Sequence, residues 1–381
     1  MARLKYWTWL SCIHDLRPLT KFRLTEALNG PDGVFFASRD ELLSAGATEK
    51  EADLLSDKSM ADAERVLSLC GEKGISILTL QDATYPERLR NIPDPPAVLY
   101  IQGKLPPVDE IPMIAVVGTR HATPYGLRIA SKLGREITEG GGVVVSGLAE
   151  GCDRAAMEAA LAAGGIAVGV LGTAIDVVYP RKNEELFQDV RMRGALVSEY
   201  PPGMRTYPPD FRVRNRIITG LSLGVVVAEA PARSGTRVTV NHALDQNRDV
   251  FAVPGNADAA AAAGCNDLIA QGAVLVTGGR EVLAEYASRN DLFRREIAPT
   301  HIKKQIDKPR DIVYIDTEKL ENLPDGQRRV LKALKGPAMH PDELIEATGL
   351  TAAETMAALT MLELGGYVVC GAGRRYSRKS E

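Results

Sequence analysis

The residues that most need a chemical explanation are arginines. In FRVRNRIITGLS, residues 211–222, Arg212, Arg214 and Arg216 fall within five positions, and an apolar helix starts beneath them. Aligned peptide dipoles already make a helix start positive, so cations there repel it. An anion would remove the conflict, and the residues alone leave two sources open. One is internal: Glu199 and Glu229 close two apolar runs and could form guanidinium–carboxylate forks. The other is external, because two carboxylates do not neutralise Arg120, Arg205, Arg212, Arg214 and Arg216 if all of these converge. Arginines that track phosphates, beside rings that stack on bases, form a platform for single-stranded nucleic acid. Phe211 and Tyr207 could supply the rings, with burial of Phe211 in the core as the alternative. On a helix, Val213, Ile217, Ile218 and Leu221 share the apolar side, and Arg212, Asn215, Arg216 and Thr219 lie opposite. Arg214 falls nearer the apolar side, which places it in the first turn or just before it.

A frame must hold these groups. Apolar runs recur between residue 111 and about 285: MIAVV, GVVVS, IAVGVL, ALVSEY, GVVVAEA, DVFAVP and AVLVTG, most of them separated by helical patterns. Such runs read as strands buried on both faces of a parallel sheet. The fold class is therefore doubly wound α/β. Sheets of this kind take ligands at the carboxyl ends of their strands. Those ends carry Gly118-Thr119-Arg120, Ser146-Gly147, Gly172-Thr173 and Arg233-Ser234-Gly235-Thr236. Small residues let backbone N–H groups approach an anion. One such turn is only a turn; several on one edge, with arginines, suggest a site.

Other chemistries lack their residues. There is no G-x-G-x-x-G after the first strand and no G-x-x-x-x-G-K-[ST]; the letters G-x-S-x-G occur as GLSLG at 220–224, but ahead of the apolar run GVVVAEA and not after a strand, so they make no nucleophile elbow. The five histidines have no metal-like spacing, and His121 reads as a polar loop residue. Five scattered cysteines without a C-x-x-C pair suit reduced thiols in the cytoplasm. A formal charge of −3 excludes a basic coat but allows a local basic patch. The N-terminal stretch spaces Tyr6, Trp9, Leu10, Ile13 and Leu16 as an amphipathic helix, not as a signal peptide, and no segment has the apolar length of a membrane span.

Four regions follow from the pattern: a helical domain over 1–70, a sheet domain with a proline-rich lead-in over 71–287, a charged linker over 288–320, and a winged helix over 321–381. The last rests on three helical patterns, a turn near Gly349 and YVVCGAGRRYSR as a two-stranded wing. The helix in its recognition position, TAAETMAALTMLEL, has no Lys or Arg and is a poor reader of bases.

VVGTRHATPYG, VVSGLAEGCD, VLGTAIDVVYPRKNEEL, SEYPPG, FRVRNRIITGLS, EAPARSGT, VFAVPG and GCNDLIAQGA occur in that order. Together they resemble the DprA (Smf) DNA-processing proteins, strongly over about 75–285 and more loosely in the flanks. The resemblance implies an extended Rossmann-like domain that binds single-stranded DNA without base specificity. It also implies protection of incoming DNA in natural transformation, help in loading the RecA recombinase, self-association as a homodimer, no cofactor and no enzymatic role. It implies an N-terminal domain of sterile-alpha-motif or helix-hairpin-helix type. By the same resemblance, phosphate-binding positions are Gly118, Arg120, Ser146, Gly147, Arg214, Asn215, Arg216, Ser234 and Gly235, and Thr119, Phe211 and Arg212 join them from the residue reading. Self-association would involve Leu268, Ile269 and Leu275, with a core role as the alternative. Glu150, Met157 and SGTRVTV depart from the family pattern, and HDLRPLTK lacks the glycines of a DNA-binding hairpin. Two rivals stand beside this reading. A nucleotide phosphoribohydrolase would need P-G-G-x-G-T-x-x-E, where ARSGTRVTV lacks the paired glycines and the glutamate. A protein-interaction adaptor would leave the anion site vestigial.

Overall fold

The computed structural model describes residues 3–289, 323–334, 338–365, 367–370 and 375–378. It divides into two compact units, Met1–Thr300 and His301–Glu381. Most of the 288–320 linker lies outside the described residues.

The first unit begins with six helices: α1 (Leu4–Cys12), α2 (Pro18–Ala27), α3 (Pro31–Phe36), α4 (Arg39–Ser44), α5 (Glu49–Leu54) and α6 (Ala61–Lys73). Ser38 with Glu41, and Thr48 with Glu51, form reciprocal caps at the starts of α4 and α5, which satisfies backbone donors that short helices leave free. Trp9, Leu10, Leu16, Leu24, Leu42 and Leu55 form a core of their own. The expected boundary at residue 70 falls inside α6. Trp7, Val66 and Cys70 join the core of the sheet instead, and Ser11 Oγ lies 2.6 Å from the Tyr100 hydroxyl. The helical region is therefore docked on the sheet.

Nine strands follow: β1 (Ser76–Thr79), β2 (Val98–Gly103), β3 (Met113–Val117), β4 (Val143–Ser146), β5 (Ala167–Val170), β6 (Ala195–Ser198), β7 (Gly224–Val227), β8 (Asp249–Ala252) and β9 (Val274–Leu275). The sheet order is β1-β2-β6-β5-β4-β3-β7-β8-β9. All seven apolar runs became parallel strands β3 to β9. The lead-in contributes more than a connector: β1 and β2 extend the same sheet in antiparallel sense. Between and around the strands lie α7 (Glu87–Arg90), α8 (Pro124–Glu139), α9 (Cys152–Ala162), α10 (Glu184–Arg193), α11 (Asp210–Gly220), α12 (Thr236–Asp245), α13 (Ala263–Ala270) and α14 (Gly279–Arg289). Strand order reverses at β3, with β4 on one side and β7 on the other, and this opens a crevice at their carboxyl ends.

The second unit has α15 (Asp325–Ala333), α16 (Pro341–Thr348), α17 (Ala352–Leu364) and the antiparallel pair β10 (Val368–Cys370) and β11 (Tyr376–Arg378). Val330, Leu331, Leu344, Leu359 and Leu362 fill its core. Gly349 turns between α16 and α17 at φ 68°, a left-handed conformation that glycine adopts without strain. This is the winged helix read from the sequence.

Candidate nucleic-acid interface

The crevice is an open cleft of about 620 Å³. The β3 end supplies Gly118, Thr119, Arg120 and His121; α11 supplies Phe211, Arg212, Arg214 and Asn215; the β7 end supplies Arg233, Ser234, Gly235 and Thr236. Arg120, Arg212 and Arg233 are exposed. None of the three guanidiniums has an ion pair or side-chain hydrogen bond among the described residues, whereas Asp153 is the carboxylate in the lining and is itself buried. Cations gathered without internal partners raise the potential of a cleft and attract anions.

The floor is set by close backbone approach. A Cβ at Gly118 would meet Cys152 Sγ at 2.5 Å, and Thr119 N–H donates to the Glu229 carbonyl at 2.8 Å, so strand β3 passes tight against β7. At Gly172 a Cβ would lie 2.7 Å from the Phe211 ring. Only glycine there lets Phe211 settle on the β5 end. Its ring, half-buried, stands 5.2 Å from that of Tyr179, and Tyr179 is 52% exposed. The two rings form one wall of the cleft.

The structure separates the three arginines of the motif. Helix α11 starts at Asp210, so Arg214 sits in its second turn and not before it. Arg214 is buried and donates to the Gly147 carbonyl at 3.0 Å and to the Val170 carbonyl. Its Nε donates to Asn215 Oδ1 at 3.2 Å. Burial brings its pKa down to about 10, opposed by Asp153. Burial likewise pushes Asp153 above the ordinary carboxylate value, with Arg214 opposing. The Gly147 N–H donates to Asp153 at 3.1 Å. Arg214 thus ties the ends of β4 and β5 together and still contributes to the cleft wall.

Arg216 does not line the cleft. It is 3% exposed, with Nη2 at 2.9 Å from both Glu199 oxygens and Nε 3.1 Å from Asp94. Burial alone would lower its pKa, but Glu199 and Asp94 raise it. The internal ion-pair reading therefore describes Arg216 and Glu199. It does not describe Glu229, whose carboxylate accepts from the Thr123 N–H and hydroxyl at 2.8 and 2.5 Å and so holds the start of α8. The supposed polar side of α11 is also corrected: Arg216 and Thr219 are as buried as Ile217 and Ile218, and Arg216 meets Asp94 of the lead-in and, through its carbonyl, Gln246 at the end of α12. Ser146 is fully buried and donates to the Val116 carbonyl at 2.6 Å, which puts its hydroxyl out of a ligand's reach.

Ser234 and Gly235 precede α12; Ser234 Oγ accepts from Thr236 N–H at 3.2 Å and donates to its hydroxyl at 2.9 Å. Tyr207 lies outside the cleft. The Tyr207 N–H donates to Asp210 at 2.6 Å, and Asp210 faces His14 at 3.2 Å. The helical region thus braces the loop that leads into α11. Tyr179 was not singled out from the sequence; VVYP carried it, but no spacing marked it as a cleft residue. Arg233 and Thr236 stood in a strand-end segment that the sequence did mark, though not among the expected phosphate-binding positions.

Of the self-association residues, Leu268 is buried and Ile269 packs partly against the same core. Leu275 and its neighbour Val274 are 50% and 42% exposed on the edge strand β9. No helix among the described residues is long and apolar enough to cross a membrane, and these residues hold no cluster of metal-ligating side chains.

Fold and cleft together define a doubly wound protein with a cationic cleft at its topological switch point. Residues 76–287 match the family model for DNA recombination-mediator protein A, and residues 316–374 match that for the DprA winged helix domain. The chain is 34% identical to Protein Smf of Synechocystis over 81% of each chain. It is 42% identical to DNA processing protein DprA of Streptococcus pneumoniae over 55% of this chain and 73% of that one. The solved structure of the S. pneumoniae protein superposes with a TM-score of 0.66, at 34% identity, over 74% of this chain and 97% of that one. A Helicobacter pylori DprA structure, described for its single-stranded DNA binding mode, gives a TM-score of 0.51 at 27% identity over 56% of this chain and 96% of that one. The chain belongs to the DprA/Smf family of DNA-processing proteins.

Proposed function

We propose that the cleft binds single-stranded DNA. The observation that carries this reading is the set of exposed guanidiniums of Arg120, Arg212 and Arg233, unpaired among the described residues, around the switch-point crevice and beside the Phe211–Tyr179 wall. Phosphates meet the arginines and the backbone around Gly118, Thr119 and Gly235, and Asn215 shapes the same wall. Arg214 and Gly147 hold the strand ends in register, while Ser146 and Arg216 act from behind as positioning residues. Stacking on rings needs no particular base, so sequence preference is weak. Membership of the family and the single-strand binding of the H. pylori relative support the reading.

In the same proposal the protein protects incoming DNA in the cytoplasm during transformation, helps RecA onto it, and acts without catalysis or cofactor. Self-association uses Leu275 and Val274 on β9, with Ile269 at the margin and Leu268 as core beneath. An open, apolar sheet edge is a pairing surface. Sedimentation of Leu275→Glu tests this: a folded monomer supports it, and an unchanged oligomer refutes it. RecA-dependent strand pairing with and without the protein tests the loading step.

The deciding experiment is fluorescence anisotropy with labelled oligo-dT and its duplex, across a salt series. Single-strand affinity should fall with a slope of about −0.7 in log–log form for each phosphate contacted. Absence of single-strand binding at low salt sinks the reading. Release of base from nucleoside monophosphates would move the hydrolase rival forward.

A further inference from the structure

Helix α17 is apolar on both sides. Thr355, Ala358, Leu359 and Leu362 are buried on its inner side. Ala353, Met356, Ala357, Thr360 and Met361 are exposed on the outer side, and their spacing of three and four residues makes one continuous stripe. Met356 and Met361 are 40% and 55% exposed. At 100° per residue, Glu354 borders this stripe on one side and Glu363 on the other. Glu354 Oε2 accepts both bonds of its Thr351 cap; Glu363 has no ion pair among the described residues. A helix that is apolar all round is normally covered on all sides.

From this arrangement we infer that the winged-helix unit is a docking surface for an amphipathic helix of another protein, one whose apolar face is flanked by Lys or Arg. Methionine is flexible and polarisable, and suits a surface that must accept an incoming apolar face. Helix-in-groove recognition reads anchors at the same spacing that this stripe offers. The acidic borders select the charge of the partner by complementarity.

Two other occupants fit poorly. DNA meets a helix without Lys or Arg and with glutamates on both borders, and base readout and phosphate contact both need the opposite. Among the described residues of the wing, Arg375 pairs with Glu343 at 3.0 Å and Arg378 donates to the Leu331 carbonyl. A second copy of α17 laid antiparallel would set acidic flank beside acidic flank, the Glu354 side to the Glu354 side and the Glu363 side to the Glu363 side, with no cation on the helix to attract its twin.

The test uses the full chain and a fluorescent Leu/Lys peptide of about 18 residues, five helical turns with one apolar face. A scrambled peptide of equal composition and a Leu/Glu counterpart are the controls. The wild-type chain should bind the Leu/Lys helix in preference to both controls. The double variant Met356→Gln/Met361→Gln should lose at least about tenfold in affinity, with its thermal unfolding unchanged because both side chains point outward. Glu363→Lys should weaken binding in a salt-dependent way. Absence of preference for the amphipathic peptide, or equal binding by the double variant, overturns the inference. So does a double variant that loses duplex-DNA affinity, or that sediments as a smaller oligomer than the wild type, since DNA or a second copy would then be the occupant.

Discussion

Two layers of the first unit use the same side chain for opposite ends. In the outer layer, Arg120, Arg212 and Arg233 stand exposed around the cleft, with no carboxylate paired to them among the described residues. In the layer behind it, Arg216 is locked between Glu199 and Asp94, and Lys21 is buried beside Glu199. Burial lowers the Lys21 pKa to about 8. The difference teaches that pairing, not position in a motif, separates ligand groups from scaffold. An unpaired exposed cation retains its charge for a ligand. A buried pair has already exchanged water for its partner, and removing one member strands the other.

The sharpest test of this contrast is Arg216→Met. It should cost about 3–5 kcal/mol of stability, because Glu199 and Asp94 are left buried without their cation. Chemical denaturation measures this, and single-strand affinity per folded molecule should be nearly unchanged. Equal loss of affinity and stability would erase the distinction between layers. Phe211→Ala should weaken single-strand binding by about 1–3 kcal/mol for a lost stack, read by anisotropy. It should also loosen the packing on Gly172, so unfolding is measured alongside. Arg212→Ala should leave stability within about 0.5 kcal/mol and make the salt slope shallower by about 0.7. If the slope stays the same, Arg212 meets no phosphate.

A test away from the cleft concerns the N-terminal helices. Glu51 accepts from Arg17 at 2.8 Å and from Thr20 at 2.7 Å. Its pKa falls from 4.5 to about 2, chiefly through the Arg17 bond. The folded value lies below the unfolded one, so the stabilisation is complete above pH 4.5 and disappears as pH falls towards 2. Arg17 is 65% exposed, so solvent weakens its share. Glu51→Gln should cost about 1–3 kcal/mol at neutral pH and flatten the acid limb of stability against pH. An unaltered acid limb would exclude Glu51 as its source.

The sequence carried the sheet well. Runs such as GVVVAEA and ALVSEY are short, continuous and β-branched, and a strand buried on both faces needs that composition wherever it lies. The winged helix was legible for a similar reason, since its helices and Gly349 turn are local. The lead-in was read less fully: prolines hid that ISILT pairs with VLYIQG, which in turn pairs with β6. The candidate cleft was legible as a collection of residues and not as an arrangement. Gly118, Arg120, Arg212 and Gly235 line it, while Ser146 and Arg216 lie behind it.

What the sequence determined by itself was therefore the alternation of elements and the edge of the sheet on which polar residues gather, because both follow from local composition and strand period. Only the tertiary structure decided which arginine meets which carboxylate. Asp94 reaches Arg216 from the proline-rich lead-in, and Glu229 serves Thr123 instead of an arginine. Those pairings depend on distances across folded space and on how much water burial removes, and neither quantity is written in the spacing of residues along the chain.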